Sequence, residues 1–399
     1  MNTIKSVKYH LSLFFLGLMF FQSCSEENKR KLPFDVKKDL FDTLQPNDLG
    51  LKVPKGIETY TIFKPTDSTD HFSNGAVMTA FKGVLYCQWQ SSAEGEDSDD
   101  TWLAYSSSKD GKTWSKPMTL AASIEDGHCT SGGWWTYKDS LIAYINVWPS
   151  KVSPEGGYAY YKTSADGVNW SEKKPVLMAD NTPINAVFEQ DPHQLANGRI
   201  INAAHFQPGL MVSPVYTDDP KGVSGWTRAS FTNNSAKNNV SQEIEPSSFV
   251  KRDSTLVMVF RDQYSSFQTL ASISKDNGES WTTPVETTMP DSRSKQSAGN
   301  FPNGTAYIIN NPVQTKSRIP LAVTLSNDGN LFTDAYMLRK GDELQPLKYE
   351  GKYKRLGYHY PKSFIFNNSL YVSYTTSKED VEYTKVPLSS LKTTNPKND

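Results

Sequence analysis

One short phrase recurs along this chain at nearly constant spacing, and it limits the available folds more than any other feature. The phrase places an Asp and a Gly ahead of an aromatic ring. Its copies occupy residues 108–114, 164–170, 218–226, 274–281 and 326–332. The final rings of successive copies are separated by 56, 56, 55 and 51 residues. Self-similarity at such a period is the signature of a repeat architecture.

Each copy has the chemistry of a tight turn. The Asp carboxylate accepts hydrogen bonds from backbone N–H groups, the Gly supplies a positive φ, and the ring packs inward. The first copy, Ser-Lys-Asp-Gly-Lys-Thr-Trp at residues 108–114, contains all three parts. We therefore interpret the phrase as structural and not as catalytic.

Short strands of alternating pattern accompany the turns. They are predicted at residues 84–89, 102–106, 141–147, 199–204, 255–261, 305–310 and 370–374. Many short strands in a repeat of about 55 residues predict an all-β fold, a β-propeller of four-stranded antiparallel blades. The span from about residue 57 to 388 fits six blades, with seven shorter blades as the alternative.

The N-terminus has the pattern of an export signal. Lys5 and Lys8 precede the apolar run 11–21, which is too short to span a bilayer comfortably. Phe-Gln-Ser-Cys at residues 21–24 resembles a bacterial lipobox with Cys24 as the lipidated residue, and the acidic tract 25–28 resembles a surface-export signal of some lipoproteins. An ordinary signal peptide with an incidental Cys is the alternative.

These patterns predict three regions and a location. Residues 1–23 are the signal peptide, 24–56 the lipidated Cys and its tether, and 57–390 the propeller. We expect an outer-membrane lipoprotein, at the cell surface or facing the periplasm, with contact to the membrane only through its lipid. Cys87 and Cys129 remain in the mature chain, and their spacing does not show whether they pair.

Composition narrows the classes of ligand. Lys plus Arg is 42 and Asp plus Glu is 43, which gives no electrostatic reason to expect nucleic acid. Aromatic residues make up 12% of the chain, enough to build a core and to stack on a ligand. The acidic run 94–100 does not fit an EF-hand, and zinc spacings, phosphate loops and a Ser nucleophile elbow are missing. We expect no cofactor and no metal.

The turn phrase resembles the Asp-box of sialidases and their relatives, and the resemblance covers most of the mature chain. Glu-Pro-Ser at 245–247 with Arg-Asp at 261–262 is similar to the fourth-blade pattern of that superfamily. Residues 300–311 with 318–321 are similar to the next blade, and Tyr-His-Tyr-Pro at 358–361 is similar to the closing blade.

The arginines depart from that family. The resemblance implies three arginines that clamp a substrate carboxylate, and Arg261 and Arg318 match two of them. The third should come from the first blade, yet no Arg occurs between Arg30 and Arg199. The corresponding stretch contains His71 instead. This pattern resembles propeller enzymes that act on rhamnose–glucuronate linkages, namely certain α-L-rhamnosidases and ulvan lyases.

Elimination from a uronate needs a group that neutralises the carboxylate, a base for the C5 proton and an acid for the departing oxygen. Arg261 suits the first because its charge is permanent, and an ion pair with Glu245 or Asp262 is an equally good alternative role. His and Tyr suit the others. The predicted catalytic residues are His71, His193, His205, Tyr358 and Arg261, with Tyr264 and Tyr360 as further acid or base candidates.

A second group is predicted to bind an oligosaccharide substrate. The rings beside the glycine loop at 132–133 can stack on sugar, but blade packing explains them at least as well. The predicted binding residues are His128, Trp134, Trp135, Glu245, Arg318, His359 and Tyr360.

The leading hypothesis is a lyase that degrades oligosaccharides containing uronic acid and rhamnose. A glycoside hydrolase of the α-L-rhamnosidase kind, with His71 central, is the first alternative. Hydrolysis more usually needs two carboxylates, for which Glu245 and Asp191 are candidates. An exo-sialidase and a non-catalytic glycan-binding lipoprotein, using Trp134, Trp135 and Trp148, are the others.

Overall fold

The chain folds into six antiparallel sheets in the computed structural model, which describes residues 32–189 and 192–394. Blade 1 consists of Phe72–Phe81, Val84–Ser92, Trp102–Ser108 and Met118–Ala121. Blade 2 consists of Gly127–Tyr137, Ser140–Pro149, Tyr158–Ser164 and Lys174–Pro175. Blade 3 consists of Ala186–Phe188 with His193–Gln194, Ile200–Phe206, Met211–Thr217 and Thr227–Arg228. Blade 4 consists of Glu243–Val250, Leu256–Asp262, Gln268–Ser274 and Val285–Pro290. Blade 5 consists of Ser297–Asn300, Ala306–Asn310, Leu321–Ser326 and Asp334–Arg339. Blade 6 consists of Tyr358–Phe366, Ser369–Thr376, Asp380–Pro387 and Glu58–Phe63.

Six short elements complete the described chain. They are the parallel pair Asp35–Val36 and Leu331–Phe332, the hairpin Ala236–Lys237 and Val240–Ser241, and the 3-10 turns Gly341–Glu343 and Leu388–Ser390. Within residues 32–189 and 192–394, no helix has the length and apolar character needed to cross a membrane.

The ring closes through blade 6. Its outer strand, Glu58–Phe63, comes from the N-terminal side and pairs with Asp380–Pro387 from the C-terminal side. Contacts run from each blade to the next and from blade 6 back to blade 1. The predicted all-β propeller of four-stranded blades is confirmed, and the number of blades is six.

The repeated phrase forms the turn between the third and fourth strands of blades 1 to 5. In the first copy, Asp110 Oδ1 accepts hydrogen bonds from the N–H groups of Lys112 and Thr113 at 2.8 Å. These donors lower the pKa of Asp110 to about 2. Trp114 Nε1 donates to the Gly111 carbonyl at 3.2 Å. All five turns therefore lie on one face of the propeller, because every third strand runs toward that face.

The Asp-box turns also join neighbouring blades. Tyr86, on the second strand of blade 1, packs so closely against Gly167 of the second turn that a Cβ there would overlap its hydroxyl group. Tyr144, on the second strand of blade 2, donates a hydrogen bond to the Gly222 carbonyl of the third turn at 2.8 Å. A glycine at each turn thus permits close contact with the preceding blade.

The segment before the first blade differs from the expected tether. Phe34 is buried, and its ring packs edge-on against Phe249 and Phe332. Residues Asp35–Val36 add a parallel pair beside blade 5. An apolar ring gains more by burial than by exposure in a linker, so residues from 32 onward belong to the compact unit. Cys24 and the rest of 1–31 lie outside the described residues.

Both described cysteines lie in the core as free thiols. Cys87 and Cys129 are buried in separate hydrophobic clusters. The pairing that the sequence left open does not occur between them.

Candidate functional site

The face opposite the Asp-box turns carries a group of cationic side chains around one tyrosine. Each first strand begins at this face and each second strand ends there. Tyr360 lies near the start of blade 6, and its ring centroid is 4.7 Å from the Arg318 guanidinium, 5.5 Å from Lys378 Nζ and 5.7 Å from Lys295 Nζ. We call the following six side chains the cationic cluster: Arg261, Arg293, Lys295, Arg318, Arg355 and Lys378.

Irregularities in the first strands direct two side chains to this cluster. The register shifts at a bulge in blades 1, 2, 4 and 6. The left-handed residue there is Gly75 (φ 61°) in blade 1 and Gly133 (φ 92°) in blade 2, but Glu245 (φ 53°) in blade 4 and Tyr360 (φ 52°) in blade 6. A residue with a Cβ pays about 1–2 kcal/mol for this conformation. Such strain is typical of functional positions.

Arg261 joins Glu245 to Tyr360. Its Nη1 donates a hydrogen bond to Glu245 Oε2 at 2.9 Å and lies 3.5 Å from Tyr360 Oη. Its Nη2 donates to Gln263 Oε1 at 2.9 Å, while Nε is buried without a partner among the described residues. The ion pair with Glu245 that the sequence offered as one role for Arg261 is therefore formed.

The Glu245 carboxylate is held ionised. Burial alone would raise its pKa, but Arg261 and Lys295 together bring the pKa below the ordinary glutamate value. Its backbone is fixed as well, since the Glu245 N–H donates to His205 Nε2 at 3.3 Å and Gln296 Nε2 donates to the Glu245 carbonyl at 3.2 Å.

His205 belongs to a buried network behind Glu245. Its Nδ1 lies 2.8 Å from Glu189 Oε1, and Lys295 Nζ lies 2.9 Å from Glu189 Oε2. Burial would raise the pKa of Glu189, yet His205 and Lys295 bring it well below the ordinary value. Because both ring nitrogens of His205 are engaged, the geometry gives this histidine a positioning role toward Glu245.

His359 has the same kind of role toward Arg318. Arg318 Nη1 lies 2.7 Å from His359 Nδ1, and His359 Nε2 donates to the Arg355 carbonyl at 2.9 Å. Burial, with Arg318 and Lys378 close by, holds the pKa of His359 well below the ordinary value. The ring is therefore neutral and accepts a hydrogen bond from Arg318 at Nδ1.

Blade 1 contributes polar groups but no cation. Glu96 forms an ion pair with Lys378, which comes from blade 6, and accepts a hydrogen bond from Asn74 Nδ2 at 2.8 Å. The Glu96 carboxylate thus offsets the charge of Lys378. This arrangement occupies the region where the family resemblance implied an arginine.

The structure separates two predicted catalytic residues from the cluster. Tyr358 is buried, and its hydroxyl donates to the Lys340 carbonyl at 2.8 Å. His193 pairs with Ile201 at the Asp-box end of its hairpin, whereas His205 lies at the other end. The sequence predicts both histidines as catalytic, but His193 lies at the Asp-box face, away from the cluster, because opposite ends of a strand reach opposite faces of a propeller.

Two other predicted histidines lie farther out on the same face. His71 stacks on Tyr349, with ring centroids 3.8 Å apart, and its Nε2 is 3.2 Å from the Thr66 carbonyl. His128 stacks on Trp148 at 5.8 Å and lies 3.6 Å from Asp97. His71 therefore has no contact with Arg261 or Tyr360 in the described structure.

The other predicted rings are mostly structural. Trp134 is buried and donates to the Val77 carbonyl at 2.9 Å, and Trp135 Nε1 donates to the Pro220 carbonyl at 2.9 Å. Both join blades, as the packing interpretation held. Tyr264 is 43% exposed.

Sequence reasoning missed five residues of this site, which are Glu189, Arg293, Lys295, Arg355 and Lys378. Four of the nine arginines in the chain belong to the cluster, but two of them stand in connections between blades and match no motif. Asp191 lies outside the described residues. Within those residues, no group of three or more His, Cys, Asp or Glu side chains is arranged to hold a metal ion.

Comparison with known proteins gives one family. The family model described as a BNR repeat-like domain matches residues 83–372. No curated protein sequence is significantly similar to the chain.

Solved structures share the fold at low identity. A sialidase is 16% identical, with a TM-score of 0.58 over 89% of this chain, which spans 35% of that protein. The Trypanosoma rangeli sialidase in complex with sialic acid is 14% identical, with a TM-score of 0.62, 86% of this chain and 60% of that one. The Ruminococcus gnavus intramolecular trans-sialidase is 14% identical, with a TM-score of 0.61, 88% of this chain and 99% of that one.

The family match confirms the resemblance to Asp-box β-propellers, and the solved structures show that sialidases share the fold. The nearer resemblance to ulvan lyases and rhamnosidases stays a prediction.

Proposed function

The chain belongs to the BNR repeat-like domain family, and we propose that it is a glycan-processing enzyme that cleaves the glycosidic bond of a sugar bearing a carboxylate. One observation carries the proposal. Glu245 and Tyr360 both adopt a left-handed backbone where blades 1 and 2 have glycine, and their side chains meet on the same nitrogen of Arg261. Packing alone gives no reason to retain two such residues at one place.

The charge of the site favours an acidic sugar. The cluster has six cations, and the carboxylates paired with them are Glu96, Glu189 and Glu245. Two further buried carboxyl groups are engaged by backbone N–H groups, Asp262 by Tyr264 and Asp291 by Ser294. Guanidinium groups pair with carboxylates in a bidentate geometry. A sugar that bears a carboxylate therefore fits this excess of positive charge better than a neutral sugar.

Tyr360 is the proposed nucleophile. Its phenol oxygen forms a bond to the anomeric carbon as the bond to the leaving oxygen breaks, and the phenol proton passes to Glu245. Tyr nucleophiles are an established exception among glycosidases, and sialidases use them. The leaving oxygen takes its proton from solvent, and a water molecule then cleaves the bond between Tyr360 and the sugar and returns a proton to the phenol.

β-Elimination from a uronate is the second candidate. Arg261 would neutralise the carboxylate, and Tyr360 would take the C5 proton and give a proton to the departing oxygen as the C4–O bond breaks and the C4–C5 double bond forms. His205 and His359 have both ring nitrogens engaged, so elimination here would depend on tyrosine. Hydrolysis has the better support because a carboxylate stands beside that tyrosine.

The experiment incubates the protein with a sialoside, with glucuronate–rhamnose oligosaccharides and with a neutral oligosaccharide. Chromatography detects a released acidic sugar, and ultraviolet absorbance detects an unsaturated uronate. We expect release of an acidic sugar by the wild type and a loss of about 100-fold or more in kcat for Tyr360→Phe. Tyr264→Phe is the matched control, because the Tyr264 ring is exposed and follows the second strand of blade 4 at the same face of the propeller.

Each other result has a meaning. A rise in absorbance that Tyr360→Phe abolishes would support elimination instead of hydrolysis. Cleavage of the neutral oligosaccharide alone would overturn the acidic-sugar proposal. Binding of acidic sugars without turnover would replace the enzyme by a glycan-binding protein.

We further propose that the protein is an outer-membrane lipoprotein anchored through Cys24. The residues 21–28 that support this location lie outside the described part of the chain. Cells grown with labelled palmitate should label the wild type and not Cys24→Ala. Equal labelling of both would contradict the anchor.

A further inference from the structure

The guanidinium groups of two arginines in the cluster have no partner among the described residues. Neither Arg293 nor Arg355 forms a hydrogen bond or an ion pair through its guanidinium with any residue in 32–189 or 192–394. Both side chains belong to half-buried residues. They stand in the connections at the two ends of blade 5, Arg293 between blades 4 and 5 and Arg355 between blades 5 and 6.

The position of Arg293 is set by a turn. Its backbone is left-handed (φ 56°), and the adjacent Ser294 N–H donates to Asp291 Oδ2 at 3.2 Å. The Arg293 Nε atom is buried and unpartnered within the described structure. Burial and the neighbouring Arg261 lower the pKa of Arg293.

The position of Arg355 is set by His359 and by a glycine. The Arg355 carbonyl accepts the hydrogen bond from His359 Nε2 at 2.9 Å. Two residues later the chain passes so close to Arg318 that a Cβ on Gly357 would lie 2.7 Å from Arg318 Cβ. Burial and the charges of Arg318 and Arg261 lower the pKa of Arg355.

The described arginines outside the cluster have partners or are exposed. Arg199 pairs with Asp218 and Glu279, and Arg252 donates to Asn327. Arg339 pairs with Glu343 and Glu382, and Arg228 covers the ring of Phe206. Because a guanidinium keeps its charge, a half-buried one beside other cations and without an acceptor is costly. A bound anion would remove that cost.

We propose that Arg293 and Arg355 complete the anion site from the two ends of blade 5 and select acidic over neutral sugars. The inference rests on the proposed function in taking the ligand to be a sugar acid. Arg261 and Arg318 supply the partly engaged guanidinium groups, each with a buried Nε that lacks a partner among the described residues. Arg293 and Arg355 supply the unengaged ones. Lys378 contributes less, because Glu96 offsets its charge.

The test measures binding of N-acetylneuraminate, D-glucuronate and D-glucose by calorimetry to the wild type, Arg293→Ala, Arg355→Ala and Arg228→Ala. Arg228 is the control, since it is also an arginine without an ion pair among the described residues, but it is exposed and lies away from the cluster. We expect each cluster variant to weaken binding of the favoured acid at least about 10-fold, as loss of a charged hydrogen bond does. Arg228→Ala should bind like the wild type.

A second measurement is independent of the proposed activity. Millimolar inorganic sulfate should raise the melting temperature of the wild type and of Arg228→Ala, and should raise it much less for the Arg293→Ala/Arg355→Ala double variant. Circular dichroism of each variant checks that the fold is retained.

The outcomes separate the two proposals. Acid binding or turnover that survives unchanged in both single variants would overturn the role of Arg293 and Arg355 and leave the proposed function intact. A sulfate effect that requires these arginines, without binding of either acid, would support the anion site and contradict the proposed substrate. Equal sulfate effects in the wild type and the double variant would overturn the anion site.

Discussion

Buried cations and neutral rings define the candidate site at the scale of single residues. Arg318 needs an acceptor at its Nη1, and His359 supplies one only while its ring is neutral. Arg318, Lys378 and the half-buried Arg355 face the ring and oppose its protonation. Opposite charges likewise stabilise Lys295, because the carboxylates of Glu189 and Glu245 raise the pKa of its ammonium group.

The neutral state of His359 predicts a pH dependence of stability. In the folded protein its pKa lies well below the ordinary 6.5, so the unfolded chain binds more protons as the pH falls through and below 6.5. The stability from this group is complete above that value and is lost on acidification, by up to about 1.4 kcal/mol per pH unit. Chemical denaturation between pH 7.5 and 5 should show a steeper loss in the wild type than in His359→Asn.

Asn keeps an acceptor near the position of Nδ1 but does not titrate. Asp291, whose burial raises its pKa to about 7, contributes with the opposite sign in both proteins, so the difference between them isolates His359. Equal slopes in wild type and variant would contradict a neutral His359.

The buried network behind Glu245 predicts a large effect of removing one partner. Glu189→Gln leaves the Lys295 ammonium without its 2.9 Å partner while Lys295 is only 12% exposed. Loss of one member of a buried pair costs about 3–5 kcal/mol. We expect urea denaturation to show a loss of this size, and Glu189→Gln/Lys295→Met to recover most of it. A double variant no more stable than Glu189→Gln would show that the pair is not coupled.

Glycines and bulges set the geometry at the scale of elements. The same bulge has glycine in blades 1 and 2, and a residue of the candidate site, Glu245 or Tyr360, in blades 4 and 6. Bulges redirect side chains without ending the sheet. The Asp-box glycines have a different purpose, since they let the preceding blade approach.

Gly167 and Gly83 provide a matched pair for that purpose. Both have a positive φ, 74° and 78°, but a Cβ on Gly167 overlaps Tyr86 whereas a Cβ on Gly83 meets nothing within 4 Å. Gly83→Ala should cost about 1–2 kcal/mol from the backbone alone. Gly167→Ala should cost about 1–3 kcal/mol more, because the blades must separate. Thermal and urea unfolding measure both; equal losses would mean that the turn does not pin the blades.

Closure of the ring is the feature of the whole molecule on which its stability depends. The strand Glu58–Phe63 joins the two ends of the chain in blade 6, and Ile62 is buried there at 7% exposure. A ring without a free end has no blade that unfolds at low cost. The propeller should therefore unfold as one cooperative unit.

Ile62→Ala tests this closure. Truncation of a buried Ile costs about 2–4 kcal/mol, so the urea midpoint should fall while tryptophan fluorescence and far-ultraviolet circular dichroism still report one coincident transition. Val53→Ala, at a position 55% exposed, should change little. Separate transitions for the two probes would show that blade 6 opens before the rest.

The chain's local chemistry was enough to predict a propeller of six or seven blades, because each Asp-box turn is made by residues within a few positions of one another and their period gives the length of a blade. Arg261, Arg318, Glu245 and Tyr360 were also recognisable, since they stand in blade motifs. Sequence grouped His193 with His205 as catalytic candidates, and only the fold shows that His205 alone lies at the face of the cluster.

Tertiary structure alone decided how the site is assembled. Arg293 and Arg355 lie in connections without periodicity, 62 residues apart in the sequence, and come to one tyrosine only when the ring closes. The left-handed bulges at Glu245 and Tyr360 carry no local signal, since a Cβ disfavours them everywhere and only surrounding packing can hold them. Turn chemistry acts over a few neighbouring residues and can therefore be recognised in the sequence. The charge balance of a buried cluster depends on residues from several blades and is set only when the chain has folded.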